Sequence, residues 1–188
     1  MNQKIILIGP IRSGKSTLGR LIAEKLGLPQ YPIDRYRWKY YGEIGYDSIL
    51  AREIGEKEGF LGVYKYWKPF EAHAVERLLS DMQNGVIDLG AGHSVFEDST
   101  LFSRVQKALE PYNNVILLLP SSDMEESIQI LNDRTGGFIR GGFDFHEHFV
   151  KHPSNHLLAK ITHYTKNKSP EESRDELIAQ LYEVSDEL

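Results

Sequence analysis

Residues Gly9-Pro10-Ile11-Arg12-Ser13-Gly14-Lys15-Ser16-Thr17 constrain this chain more than any other stretch. They spell G-x-x-x-x-G-K-S, a phosphate-binding P-loop, and the flanking residues supply the context that the motif requires. Before it, Ile5-Ile6-Leu7-Ile8 is a short apolar run that reads as a buried parallel strand. After it, apolar residues at 18, 21, 22 and 26 recur at helical spacing. A Gly-rich turn between strand and helix that binds nothing is the alternative, and the full motif in this context argues against it.

The residue types explain the chemistry. Gly9 and Gly14 let the backbone curl so that its N–H groups converge on anionic oxygens. The helix opening near Lys15 adds the positive end of its dipole. Lys15 can reach the β- and γ-phosphates of a nucleotide and the Ser16 hydroxyl can ligate Mg²⁺, with Thr17 beside it. Ile11, Arg12 and Ser13 complete the loop; the Arg12 side chain faces either phosphate or solvent, and solvent is the preferred reading.

At 188 residues the chain fits one α/β domain, 1–188. Further strands are expected at 85–89, 115–119 and 160–165. Helices are expected at 70–83, 99–110, 123–133 and 171–184, the last opened by Ser169-Pro170-Glu171-Glu172. This alternation predicts a three-layer fold, a parallel sheet flanked by helices. Residues 35–69, rich in Tyr, Trp and Gly, read as short helices and loops outside the sheet. The formal net charge of −5 disfavours nucleic acid as a partner. The chain has no cysteine, which excludes thiol catalysis and suits a cytoplasmic setting. No signal or membrane-spanning segment is expected.

Taken in order, the motifs resemble the small P-loop kinases of the nucleoside-monophosphate-kinase fold, most closely the shikimate-kinase-like branch. The resemblance runs through the loop at 8–20, Leu28-Pro29-Gln30-Tyr31-Pro32-Ile33-Asp34, Gly85–Val95, Leu131-Asn132-Asp133-Arg134 and the Thr165–Glu172 stretch. It implies an ATP- and Mg²⁺-dependent phosphotransferase with a mobile lid, acting on a small hydroxylated acceptor, as a monomer or homodimer.

Residue by residue, the resemblance implies that Asp34 holds and deprotonates the acceptor hydroxyl and that Gly90, Ala91 and Gly92 form the acceptor loop. Lys68 falls near the family's carboxylate-binding arginine, although an ammonium cannot make the bidentate pair. Pro32 stands where the family has a second acid. Asp88, ending an apolar run, either takes over that metal-side role or is a hydrogen-bonded strand residue. The substrate-binding segment is 35–70 and the lid 134–152, with Arg134 nearer the adenine and Arg140 nearer the phosphates. His146, His148, His152 and His156 read as solvated lid residues rather than a metal site. The aromatic and basic residues of 31–68 read as acceptor-pocket walls and admit a ring-containing acceptor. A nucleoside, nucleotide or nucleic-acid-end kinase, and an ATP-binding regulatory protein without acceptor, remain as alternatives.

Overall fold

The computed structural model describes residues 4–186. Its core is a parallel sheet of β1 (Lys4–Ile8), β2 (Gln30–Pro32), β3 (Gly85–Asp88), β4 (Val115–Leu119) and, after a lid hairpin, β7 (Ile161–Tyr164). The spatial order is β2-β3-β1-β4-β7. β1 is central, pairing Ile5 with Val86 on one side and Leu7 with Ile116 on the other. All of its residues are buried, as a parallel strand covered on both faces must be.

The two-residue alternation of a strand sorts its side chains between two cores. Ile6 and Ile8 join Val75, Leu78, Val105 and Leu109 on one face. Ile5 and Leu7 join Leu18, Ile22, Leu177 and Leu181 on the other. The first face is covered by α3 (Ser48–Asp81) and α4 (Ser99–Leu109), the second by α1 (Lys15–Leu26) and α8 (Pro170–Asp186). Local chemistry sets the ends. Asp98 accepts from the N–H groups of Thr100 and Leu101 to cap α4. Ser169 and Glu172 form a reciprocal capping box at α8.

The segment 35–69 is more helical than its composition foretells. Arg37–Glu43 forms α2, and α3 runs from Ser48 through to Asp81, broken only at Gly59 (φ 69°, ψ −166°). Gly59 and Pro69 are residues that disfavour a helix interior. In three dimensions the chain kinks at Gly59 and carries Pro69 within the second half of α3. Packing of Phe70, Val75 and Leu78 into the core outweighs the local propensity.

The lid also differs from expectation. After α5 (Met124–Thr135), a hairpin of β5 (Ile139–Arg140) and β6 (Phe143–Asp144) turns at Gly141-Gly142, both at positive φ. The following α6 (Phe145–Lys151) buries Phe145 and Phe149 with Tyr64. Within 134–152 the hairpin tip Ile139–Gly142 stands exposed, whereas α6 packs Phe145, His146, Phe149 and Val150 into the body. A short α7 (Pro153–Leu158) leads into β7. His146 is a correction: it is fully buried, with Thr135 Oγ1 3.0 Å from its Nε2, rather than solvated. Burial lowers its pKa. No group of three or more metal-ligating side chains occurs among the described residues. None of the helices among them is long and apolar enough to cross a membrane.

Candidate active site

The C-terminal ends of β1, β2 and β3 open into one cavity of about 680 Å³, where ligands bind in open α/β sheets. The P-loop forms one wall. Gly9 sits at φ 131°, and a Cβ there would lie 2.5 Å from the Leu118 carbonyl, so only glycine fits between loop and β4. Lys15 is buried and its ammonium donates to the carbonyls of Gly9 (2.8 Å) and Pro10 (2.6 Å). Burial lowers its pKa to about 8, against the opposing pull of Asp88 and Asp34. An anion placed in the loop would favour the charged ammonium.

Ser16 and Asp88 line the same cavity. Gln30, a residue that the sequence did not single out, bridges them: its amide donates to Asp88 Oδ2 at 2.7 Å and to the Ser16 carbonyl at 3.0 Å. Asp88 is buried, which raises its pKa. A hydroxyl and one carboxylate are hard oxygen donors that suit Mg²⁺, which takes few protein ligands and completes its shell with water and phosphate. The residues present therefore fit this ion.

The other end of the cavity lies beyond. Asp34, in the short 3-10 turn after β2, is exposed and lines the cavity. Its Oδ1 pairs with Arg37 Nη1 at 3.2 Å. Gly90, Ala91 and Gly92 line the floor. Here glycine is demanded by space: a Cβ on Gly92 would lie 2.3 Å from Glu71 Oε1, and one on Gly90 2.7 Å from His93 Nδ1. Beneath the loop, His93 Nε2 lies 3.2 Å from the Tyr41 hydroxyl. Burial depresses the His93 pKa to about 3, so the ring is neutral. Phe60, Trp67 and the lid's Phe138 form an aromatic wall.

Lys68 is not where the resemblance puts it. It is 5% exposed and does not line the cavity. Its ammonium pairs with Glu71 at 2.5 Å and donates to the carbonyls of Gly92 (2.9 Å) and Val95 (3.0 Å). It ties down the Gly90–Gly92 loop from below, and Glu71 and Arg37 face the cavity in its stead. The spacing of Lys68 and Glu71 carried the signal for that pair; Arg37 was hidden among several basic residues of an aromatic stretch.

Arg134 ends α5 and donates to the Arg12 carbonyl at 3.0 Å. It lines a second, smaller cavity with Ser13, Thr17, Thr165 and Pro170, which shares Gly14 and Thr17 with the main one. Arg12 is exposed at φ 62° and lines the main cavity together with Ile11. Arg140 is exposed on the hairpin, bonded to the neighbouring Ile139 carbonyl, and is not part of either cavity wall. The sequence and structure thus bring together Lys15, Ser16, Asp34, Asp88 and Gly90–Gly92, leave Arg140 outside, and turn Lys68 away.

The solved shikimate kinase from Acinetobacter baumannii, in complex with shikimate, superposes with a TM-score of 0.61 at 21% identity, over 98% of this chain and 93% of that one. The chain has the P-loop nucleoside-monophosphate-kinase fold. Among curated proteins, this kinase-fold chain is 37% identical over 90 residues to the shikimate kinase of Persephonella marina, an alignment spanning 48% of each. It is 24% identical over 191 residues to the shikimate kinase of Rhodococcus jostii, covering 97% of this chain and all of that one. No family model matches it.

Proposed function

We propose that this protein is an ATP-dependent phosphotransferase that moves the γ-phosphoryl group to a hydroxyl of a small acceptor. The observation that carries the reading is the single cavity shared by P-loop residues Gly14–Thr17 and by Asp34 with Gly90–Gly92. A phosphate held at one end therefore faces an exposed carboxylate at the other. The likeness to shikimate kinases supports the same reading.

In this mechanism the P-loop N–H groups and Lys15 hold the β- and γ-phosphates. Asp34 orients the acceptor hydroxyl and takes its proton as the new P–O bond forms and the bond to the ADP oxygen breaks. Ser16 and Asp88 would hold Mg²⁺, directly or through water, and the ion supplies charge neutralisation on the phosphates. The smaller cavity beside Arg134 and Thr165 takes the base. Arg140 enters only when the hairpin folds over the phosphates, where a guanidinium stabilises charge on the group in transfer. Shikimate is the first acceptor to try. The aromatic wall of Phe60, Trp67 and Phe138 favours a ring-containing molecule, so nucleosides belong in the same panel.

The test is ADP release with ATP and Mg²⁺ against a panel of hydroxylated metabolites. Strong stimulation by one compound establishes the phosphotransferase. ATP binding with a flat panel would overturn it in favour of a nucleotide-binding regulatory protein.

A further inference from the structure

Lys68 and Arg37 both lie near the acceptor end of the cavity, and of the two only Arg37 lines it. Lys68 is spent: it is buried, with an ion pair and two carbonyl partners. Arg37 is not. Among the described residues its one ion pair is the contact with Asp34, whose side chain is 68% exposed. A pair this wet contributes little and cannot hold a guanidinium against a better partner. The other contact of Arg37 is the face of Trp38, 4.6 Å from the ring centroid. Its Nε is enclosed yet has no hydrogen-bond partner, a desolvated donor left unpaid.

Its position is specific. Arg37 lines the cavity and its charge is felt at Glu71, Tyr41 and His93 beneath the acceptor loop. The field at Lys15 comes instead from Asp88 and Asp34. The guanidinium therefore serves the acceptor end, next to the carboxylate that receives the hydroxyl.

We propose that Arg37 binds an anionic oxygen group of the acceptor, a carboxylate or a phosphate. Because Arg37 touches Asp34, that group and the phosphorylated hydroxyl must lie close together on one face of the molecule. The acceptor class is a compact hydroxy acid or hydroxylated phosphate ester, and neutral polyols are excluded. A planar guanidinium suits either anion through paired N–H donors. The proposal rests on the phosphotransferase reading for the role of Asp34, but the anion site can be examined without turnover.

The experiment is ¹H–¹⁵N NMR of arginine Nε–H groups in the full chain with ADP and Mg²⁺ present, so that the P-loop is filled. Arg37 is assigned by its loss in Arg37→Gln. The probes are shikimate and glycerate as carboxylates, glycerol 3-phosphate as a phosphate ester, and glycerol and inositol as neutral controls. The expected result is a saturable shift of the Arg37 signal with a carboxylate or a phosphate ester and none with the neutral polyols; which anion shifts it names the source. No shift with any anion, or an equal shift with neutral polyols, overturns the proposal. In turnover, Arg37→Gln should raise the acceptor KM roughly 10- to 100-fold and Arg37→Lys less, as loss of a charge-assisted hydrogen bond implies. A robust neutral acceptor insensitive to Arg37→Gln would also sink the anion site while leaving the phosphotransferase standing. A saturable shift without ADP release would do the reverse.

Discussion

Replacing Lys68 by methionine separates a structural cation from an acceptor-binding one. The substitution keeps most of the buried stem and removes the ammonium. Three partners are then abandoned at once: Glu71 at 2.5 Å and the carbonyls of Gly92 and Val95. Glu71 is 4% exposed, so it would be left as a buried carboxyl without its ion-pair partner, with only the more distant Arg37 charge near it. Breaking a buried pair from one side costs about 3–5 kcal/mol. In a chain of this size about 2–4 °C of Tm is lost per kcal/mol, so the melting temperature should fall by about 6–20 °C. Burial already raises the Glu71 pKa, with Lys68 pulling it down. Without Lys68 the carboxyl takes up a proton more readily, and part of the loss is relieved at lower pH. Removing both partners in Lys68→Met/Glu71→Gln should recover much of the stability, because no charge is then stranded. Thermal unfolding followed by circular dichroism measures all three. A Lys68→Met protein that melts with the wild type and shows only a raised acceptor KM would refute this reasoning and return Lys68 to the substrate.

Further outcomes are expected. Lys15→Ala should weaken ATP binding greatly, whereas Asp34→Asn should keep ATP affinity and abolish transfer; calorimetry with ADP release separates the two, and full activity in Asp34→Asn would remove its role as base. Since the Lys15 pKa is lowered to about 8 by burial, the protonated form that pairs with phosphate is full below that pH and is lost above it. ATP affinity should be level at lower pH and fall by up to about tenfold per pH unit above 8, with proton uptake on binding, unless Lys15 is not the phosphate partner. Gly92→Ala brings a Cβ within 2.3 Å of Glu71 Oε1 and should disorder the acceptor loop, raising the acceptor KM far more than the ATP KM; equal effects on both would point to general misfolding.

Much of this molecule is legible in one dimension because its determinants are local. The P-loop glycines, the apolar runs of β1 and β4, and the caps at Asp98 and Ser169 each act through the residue itself or a neighbour a few positions away. That is why strand, loop and helix, and with them the placing of Lys15 and Ser16 in the loop, follow from spacing, while Asp88 stays open between a metal-side role and a strand residue. The helical content of 48–69 does not, because it depends on what α3 packs against after the kink at Gly59. Nor does the difference between Lys68 and Arg37. Both are basic residues in an aromatic-rich stretch, and only the fold decides that one passes under the acceptor loop while the other faces the cavity. Gln30 was silent for the same reason: its amide acquires meaning only when β2 lies beside β3 and Asp88 comes within 2.7 Å. The sequence by itself thus determined the P-loop, whose geometry is written in consecutive backbone. Tertiary structure decided the lining of the rest of the cavity, the proposed acceptor end, whose groups come from separate segments and whose charges are set by burial and by the partners that each side chain meets.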